Sequence, residues 1–395
     1  MYRLKQLFFS HVAQTSPAPL ALHITRAEGC YLYDETGKSY LDLIGGIAVS
    51  NTGHCHPRVV AAVQQQAAAF MHTMVYGELV QSPQVAYATL LANNLPASLS
   101  TVYFTNSGAE AVEGAIKLSR RLTGRTGIIA CNKSYHGSTT GALALLGDEY
   151  WRNAFRPLMP GVRHLDYGSN ALIEAINADT ACVVLETVQA EAGVNPPPAG
   201  WLKKVKARCE EKGALLVLDE IQCGFGRTGS LWAFEQEAVT PDILLLGKAL
   251  GGGMPLGAFI ASQDKMKSLT ENPVLGHITT FGGHPVSCAA GLAAMQVLLE
   301  EKLVDAVAEK AALFLEKLKH PAIKTIRHRG LMMALELESS EQVLTVINRG
   351  LELGVFADWF LFAPHCIRLA PPLTISKAEI EEACKILLDA LSEDK

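Results

Sequence analysis

The run Asp242-Ile243-Leu244-Leu245-Leu246-Gly247-Lys248-Ala249-Leu250-Gly251-Gly252-Gly253-Met254-Pro255 decides the fold. An unbroken apolar stretch ends, a lysine stands at its exit, and three glycines follow. A strand that is apolar on both faces belongs to a sheet covered on both sides. A lysine at such an exit sits where low dielectric penalises its ammonium, so its pKa is expected to fall and free amine to become available. Leu215-Leu216-Val217-Leu218-Asp219-Glu220 ends a second apolar strand, this time in a carboxylate. Taken singly, both residues are ordinary, because most lysines and most carboxylates at strand ends are solvated. The pair is what gives the reading weight.

Working outward, short apolar strands alternate with helical patterns from about 100 to 262. The strands are expected at Val102–Thr105, Gly127–Cys131, Ala181–Glu186, Ala214–Asp219, Ile243–Leu246 and Gly257–Ala261. Helices near 109–123 and 199–212 serve as crossovers, which predicts an α/β fold with a mostly parallel sheet. After Pro285 the texture changes. Helices are expected near 286–300, 303–319, 340–353 and 376–392, with strands at Ile323–Arg329 and Leu331–Glu338. Tyr31 to Asp42 reads as a hairpin turning at Glu35–Gly37, too short to stand alone. It is expected to pack on the C-terminal unit. The division expected is a large unit over 50–285 and a discontinuous α+β unit formed by 1–49 and 286–395.

The bulk numbers exclude several classes. The chain has 395 residues, 49% hydrophobic and 18% charged, with a net charge of -5 and scattered Lys and Arg. Neither nucleic acid nor an anionic membrane surface is an expected partner. Nine cysteines without a C-x-x-C pair point to a reduced compartment, where they act as small buried apolar groups. No charge-free apolar run approaches the length of a membrane span. Met1 to Ser10 lacks a signal-peptide core. A cytoplasmic location is expected.

Five segments carry chemistry. Thr105-Asn106-Ser107-Gly108-Ala109-Glu110 follows a strand and opens a helix, whose free N–H groups and dipole make a phosphate seat; alone it is an ordinary capped helix. Asn132 to Thr139 offers Tyr135, an aromatic that can stack on a flat ring, although a lone tyrosine is more often packing. Glu186 to Gly193 brings Glu186 and Glu191 to the sheet edge where open α/β sheets bind ligands. Asp219 to Gly229 adds Gln222 and a glycine-rich loop beside the strand-end acid. His277 to Pro285 is a small-residue loop with Thr280 as a candidate phosphate contact. His54, His56, His277 and His284 lie at no recurring ligand spacing, so no metal site is expected. A lysine for an aldehyde and an acid for a ring nitrogen are the two groups that pyridoxal 5'-phosphate needs.

These segments together resemble the class III (subgroup II, ω-type) aminotransferases of the pyridoxal-phosphate fold type I superfamily, nearest the acetylornithine and ornithine aminotransferases. The resemblance runs through 40–49, Gly-His-Cys-His-Pro at 53–57, Asn-Ser-Gly-Ala-Glu-Ala at 106–111, Asp-Glu-Ile-Gln-x-Gly-x-Gly-Arg-Thr-Gly at 219–229, 246–253, 280–285 and Ile-Arg-Leu-Ala-Pro-Pro-Leu at 367–373. It implies a seven-stranded, mostly parallel sheet in the large unit. It implies that Lys248 binds the cofactor's aldehyde and moves the proton, and that Asp219 keeps the ring nitrogen protonated. Tyr135 would stack on the ring, Gln222 would bind its O3′ with Glu186 nearby, and Ser107, Gly108 and Ala109 would hold the phosphate. Thr280 would reach the phosphate of a neighbouring subunit, so a homodimer with shared sites is implied. Arg368 would clamp the carboxylate of 2-oxoglutarate or glutamate. Glu191 would pair with that arginine when an ω-amine is bound and swing away for glutamate. The implied reaction is ping-pong transfer of a terminal amine from an acetylornithine-type donor to 2-oxoglutarate, as in arginine biosynthesis. Other ω-amine donors, or an aminomutase, racemase or decarboxylase on the same scaffold, are the alternatives.

Three positions bear on the donor. Relatives of this kind carry an arginine just after the His-Gly pair that follows the stacking aromatic, and it binds the donor's carboxylate. Here that position is Ser138, with Arg152, Arg156 and Arg163 as the nearby candidates to replace it. Ile47 is the apolar residue of acetylornithine-type members rather than the tyrosine of ornithine-specific ones. His284 stands where asparagine is frequent, with no clear consequence.

Overall fold

The structure is a computed structural model describing residues 2–392. Three strands open the chain: β1 (Ile24–Glu28), β2 (Tyr31–Asp34) and β3 (Ser39–Asp42). Seven follow in the middle: β4 (Thr101–Thr105), β5 (Gly127–Cys131), β6 (Val162–Leu165), β7 (Thr180–Glu186), β8 (Leu215–Asp219), β9 (Ile243–Leu246) and β10 (Gly257–Ala261). Five close it: β11 (Thr325–Arg329), β12 (Met332–Glu336), β13 (Val355–Phe356), β14 (Asp358–Phe360) and β15 (Ala363–Leu369).

The middle strands form one sheet in the order β4-β10-β9-β8-β7-β5-β6. Strands β9, β8, β7, β5 and β6 pair in parallel, and β10 runs antiparallel to both β4 and β9. This is the mostly parallel, seven-stranded sheet of the expected α/β fold. Every residue of β7, β9 and β10 is buried, as a sheet covered on both faces requires. The helix Gly108–Thr123 covers one face. Ser107 caps it by accepting from the Glu110 N–H, and Gly124 ends it at φ 68°. Its buried stripe includes Val112, Ile116 and Leu118, each worth roughly 1.5–3 kcal/mol of transfer free energy. Gly114 lets it sit tight on β10, since a Cβ there would lie 2.3 Å from Phe259.

The N-terminal hairpin joins the C-terminal strands. β3 pairs in parallel with β13, and the Ala370 N–H donates to the Leu43 carbonyl. A separate antiparallel sheet runs β11-β12-β15-β14. The strands β1, β6, β13, β14 and β15 lie outside the expected set, and the helix expected over 303–319 is shorter, Val307–Lys317. A helix at Tyr2–His11 is a further addition. Among the described residues no helix is long and apolar enough to cross a membrane.

Candidate active site

Parallel strands end on one edge, so the exits of β4, β5, β7, β8 and β9 converge there. Lys248 leaves β9 at φ +47°, a left-handed backbone that costs a non-glycine residue of the order of 1–3 kcal/mol. Burial pushes its ammonium pKa down, and the charges of Glu191 and Asp219 only partly offset this. The shift favours free amine, in the direction the sequence leads one to expect.

Asp219, at the end of β8, is held from two sides. One oxygen accepts from the Ile221 N–H at 2.9 Å, and the other lies 2.7 Å from His136 Nδ1. Burial opposes charge on His136, yet its hydrogen bond to Asp219 and the nearby carboxylates carry its pKa above the usual histidine value. His136 Nε2 is buried without a partner. Glu186, ending β7, accepts from the Tyr135 N–H at 3.2 Å and the Ala190 N–H at 2.7 Å. Burial raises its pKa to about 7 despite these bonds.

Gly108, Ala109, Tyr135, Glu186, Asp219, Gln222 and Lys248 line a single cavity of about 300 Å³. Ser107 is exposed beside it as the helix cap. The glycines allow close approach: a Cβ on Gly108 would meet Ile221 at 2.7 Å, and one on Gly137 would meet Ala109 at 2.5 Å. The cavity thus offers a helix start for an anion, an acid at a strand end and an amine whose pKa burial lowers. A phosphorylated pyridine aldehyde needs these groups.

Glu191 and Arg368 flank the cavity. Gln222 Nε2 donates to one Glu191 oxygen at 3.2 Å, and Arg368 Nη2 donates to the other at 2.6 Å. Burial alone would raise the Glu191 pKa, but the Arg368 charge and hydrogen bond hold it below the ordinary carboxylate value. Arg368 lies over the Phe360 ring at 4.5 Å, and its Nε and Nη1 are buried with no partner. A guanidinium left with unused donors is prepared for a ligand's carboxylate.

Thr280 is exposed and is not among the residues lining the cavity of its own chain. Ile47 lies in a short left-handed turn with Gly45, Gly46 and Ala48, and it too does not line the cavity. Arg152 and Arg156 are tied to Glu149, Arg163 is exposed on β6, and none of the three lines the cavity. The tested histidines have other partners. His54 meets Asp42 at 2.8 Å, His56 meets Glu301 at 3.4 Å, His277 packs on Tyr103, and His284 stacks on His72. Glu336, His365 and Cys366 do converge, but the Arg327 guanidinium already sits on Glu336 and Cys366.

Sequence reasoning missed His136, Gly137, Val188, Ile221 and Cys223 in the lining. Ile221 had a signal: it stands two residues after Asp219, at the exit of the same strand. His136 follows Tyr135 in the same strand-exit segment, but only the fold brings it across β7 to Asp219.

The sequence pattern of the class-III aminotransferases matches residues 12–391. The chain is 42% identical to the acetylornithine aminotransferase of Methanopyrus kandleri over 386 residues, 96% of each chain. It is 40% identical to ornithine aminotransferase 1 of Staphylococcus aureus, covering 92% of this chain and 93% of that one. The crystal structure of the ornithine aminotransferase from Toxoplasma gondii superposes with a TM-score of 0.91 at 32% identity, over 99% of this chain and 94% of that one. With the lysine, the acid and the helix start meeting in one cavity, the chain belongs to the class III aminotransferases and is a pyridoxal-phosphate-dependent transaminase.

Proposed function

We propose that the protein transfers the terminal amino group of an ω-amino donor, of the acetylornithine type, to 2-oxoglutarate in two half-reactions. The observation that carries this is Arg368: one nitrogen holds Glu191 while two buried nitrogens stay free. Such a group serves an amine when masked by Glu191 and a carboxylate when released. Lys248, Asp219, Gln222, Tyr135 and the Ser107–Ala109 turn would hold the cofactor. When bound, pyridoxal 5'-phosphate supplies the aldehyde that carries the amino group and the electron sink that stabilises the substrate carbanion.

The chain's own residues do the rest. Lys248 Nζ, whose pKa burial lowers, would take the proton from the substrate carbon bearing the amine as general base and then serve as the acid. Asp219 would meet the ring nitrogen, and His136 orients its carboxyl group through a 2.7 Å contact. Gln222 would bind the ring's oxygen, with Glu186 nearby. Arg368 Nε and Nη1 align the 2-oxo acid through its carboxylate.

A homodimer with shared sites is part of the same reading. Thr280 is exposed, and Ile278, Phe281 and Met71 expose apolar side chains, a surface that a second copy would cover. We assign cofactor binding to a large unit over 50–285, with 1–49 and 286–395 forming one smaller unit, a division that the β3–β13 pairing supports. Nine free cysteines fit a reduced, cytoplasmic setting.

The test is a single-turnover half-reaction without acceptor. Holoenzyme is mixed separately with acetylornithine and with glutamate, and the absorbance of the lysine-linked cofactor is followed. Loss of that band with both amines is expected. Product formed from an amine with no 2-oxo acid present would point instead to an aminomutase, racemase or decarboxylase. Lys248→Ala should retain cofactor without the band. A pH-dependent band surviving in that variant would remove the assignment.

A further inference from the structure

Glu191 sits in a short closed turn. Gln189 and Asn195 pair antiparallel across its base, each N–H donating to the other's carbonyl. Inside it the Gly193 and Val194 N–H groups both donate to the Ala190 carbonyl, and Gly193 takes φ +89°. Glu191 and Gly193 are both buried. The turn meets the sheet β11-β12-β15-β14, whose register fixes what it meets. Arg327 of β11 stands opposite Ala334 of β12, and Ala334 stands opposite Arg368 of β15. Directly opposed residues share a face, so the two arginines flank Ala334 on one face, their backbones about 10 Å apart by strand spacing.

Each arginine holds a different part of the turn. Arg368 Nη2 donates to the Glu191 carboxylate at 2.6 Å. Arg327 holds the backbone, its Nε donating to the Gly193 carbonyl at 2.7 Å. The rest of that guanidinium is fixed to the same sheet: Nη1 donates to the Glu336 carboxylate and Nη2 to Cys366 Sγ at 3.2 Å. A planar fork held on both sides is a stiff anchor. The fit is close, since a Cβ on Gly193 would lie 2.8 Å from Arg327 Nη2.

We propose that Arg327 is a positioning residue that sets how firmly Glu191 masks Arg368. The proposal rests on the transaminase reading and deepens it. Arg327 does not line the cavity and acts through the backbone of the turn. The masked state needs the Glu191 carboxylate at one point, so it depends on an ordered backbone. The open state, with Arg368 released to a substrate carboxylate, does not. Freeing Gly193 makes masking carry the entropy cost of reordering the turn, which moves the balance towards the open state. An ω-amine donor needs the mask, because a bare Arg368 would draw the donor's own carboxylate to the wrong end. Glutamate and 2-oxoglutarate need Arg368 open.

The experiment is single-turnover loss of the lysine-linked absorbance in holoenzyme, with acetylornithine and with glutamate, for the native protein and Arg327→Met. We expect the ratio of second-order rate constants, acetylornithine over glutamate, to fall about tenfold or more, as for loss of one charge-assisted hydrogen bond. The glutamate constant should change by less than about threefold, since the open state does not use the anchor. Arg327→Lys keeps a charge for Glu336 without the fork, and its ratio should fall part of the way. In a Glu191→Ala background, Arg327→Met should leave the ratio where Glu191→Ala alone puts it. A loss shared equally by both amines would mean that Arg327 only supports the fold, and overturns the proposal. So does an unchanged ratio, or an Arg327 effect that persists in full without Glu191. Should Arg327→Met hold no cofactor, Arg327→Lys carries the same readings. Native holoenzyme that acetylornithine fails to bleach would instead bring down the ω-amine reading, and this proposal with it.

Discussion

Arg368 condenses the site's logic into one side chain. It is buried and paired to Glu191 at 2.6 Å, yet two of its nitrogens have no partner. A buried pair kept incomplete is poor as a stabilising device, because desolvation costs what the attraction returns. It is useful as a clamp that can be opened, since the Glu191 carboxylate is also reached by Gln222 and by the Leu361 N–H. Arg368→Ala should therefore raise the KM for the 2-oxo acid by about a hundredfold, corresponding to roughly 2–3 kcal/mol of lost charge-assisted bonding. The KM for the amine donor should move only a few-fold. Steady-state kinetics with each substrate varied in turn measures both, and equal effects on the two would remove the acceptor role. Lys248 shows the same economy, its φ of +47° fixing the exit of β9 so that the amine enters the cavity.

At the scale of elements, the site depends on two backbones that touch. β10 runs antiparallel beside β4, with Gly257 opposite Thr105. A Cβ on Gly257 would lie 2.1 Å from the Ser107 carbonyl oxygen, a distance no side chain can occupy. Gly257→Ala must push the Ser107–Ala109 turn, and with it the helix start proposed to hold phosphate. We expect the cofactor to bind at least about tenfold more weakly, as seen by titrating apoprotein and following the lysine-linked absorbance, with little change in far-ultraviolet circular dichroism. Unaltered affinity would show that the turn does not bear the phosphate. This contact was invisible in the sequence, because it joins segments about 150 residues apart. The strands were legible where burial on both faces writes an unbroken apolar run, as in Ile243–Leu246 and Gly127–Cys131. β6 was not, because as an edge strand it carries Arg163 and His164. The short β13 and β14 hold too few residues to establish a period. The site followed the same rule: residues at strand exits within quotable motifs were read, and His136, which acts across the sheet edge, was not.

Two buried acids, Glu220 and Glu186, have no arginine or lysine ion pair among the described residues, and this shapes the response of the whole molecule to pH. Glu220 is fully buried, with Thr187, Ala233 and Phe234 all donating to its carboxylate, yet burial raises its pKa to about 7. Glu186 is raised to about 7 in the same way. A carboxyl group whose folded pKa exceeds its unfolded value of about 4.3 binds its proton more tightly in the folded chain. The stability this contributes is complete below the unfolded value and is lost as pH rises through the folded one. Histidines whose pKa burial lowers, such as His164 and His277, work in the opposite sense, but their gain is complete once pH passes the ordinary histidine value. Paired carboxylates such as Glu191 have likewise gained their full contribution by then. Between pH 6.5 and 8 the buried acids therefore dominate, and the Tm of the cofactor-free protein should fall with rising pH. In Glu220→Gln the amide cannot ionise, so the Tm should be lower at pH 6.5 for want of an acceptor oxygen, and its decline towards pH 8 should be flatter. Differential scanning calorimetry of both proteins across this window measures the slopes. Parallel slopes would mean that Glu220 keeps one protonation state throughout and that the pH response lies with Glu186 and His136.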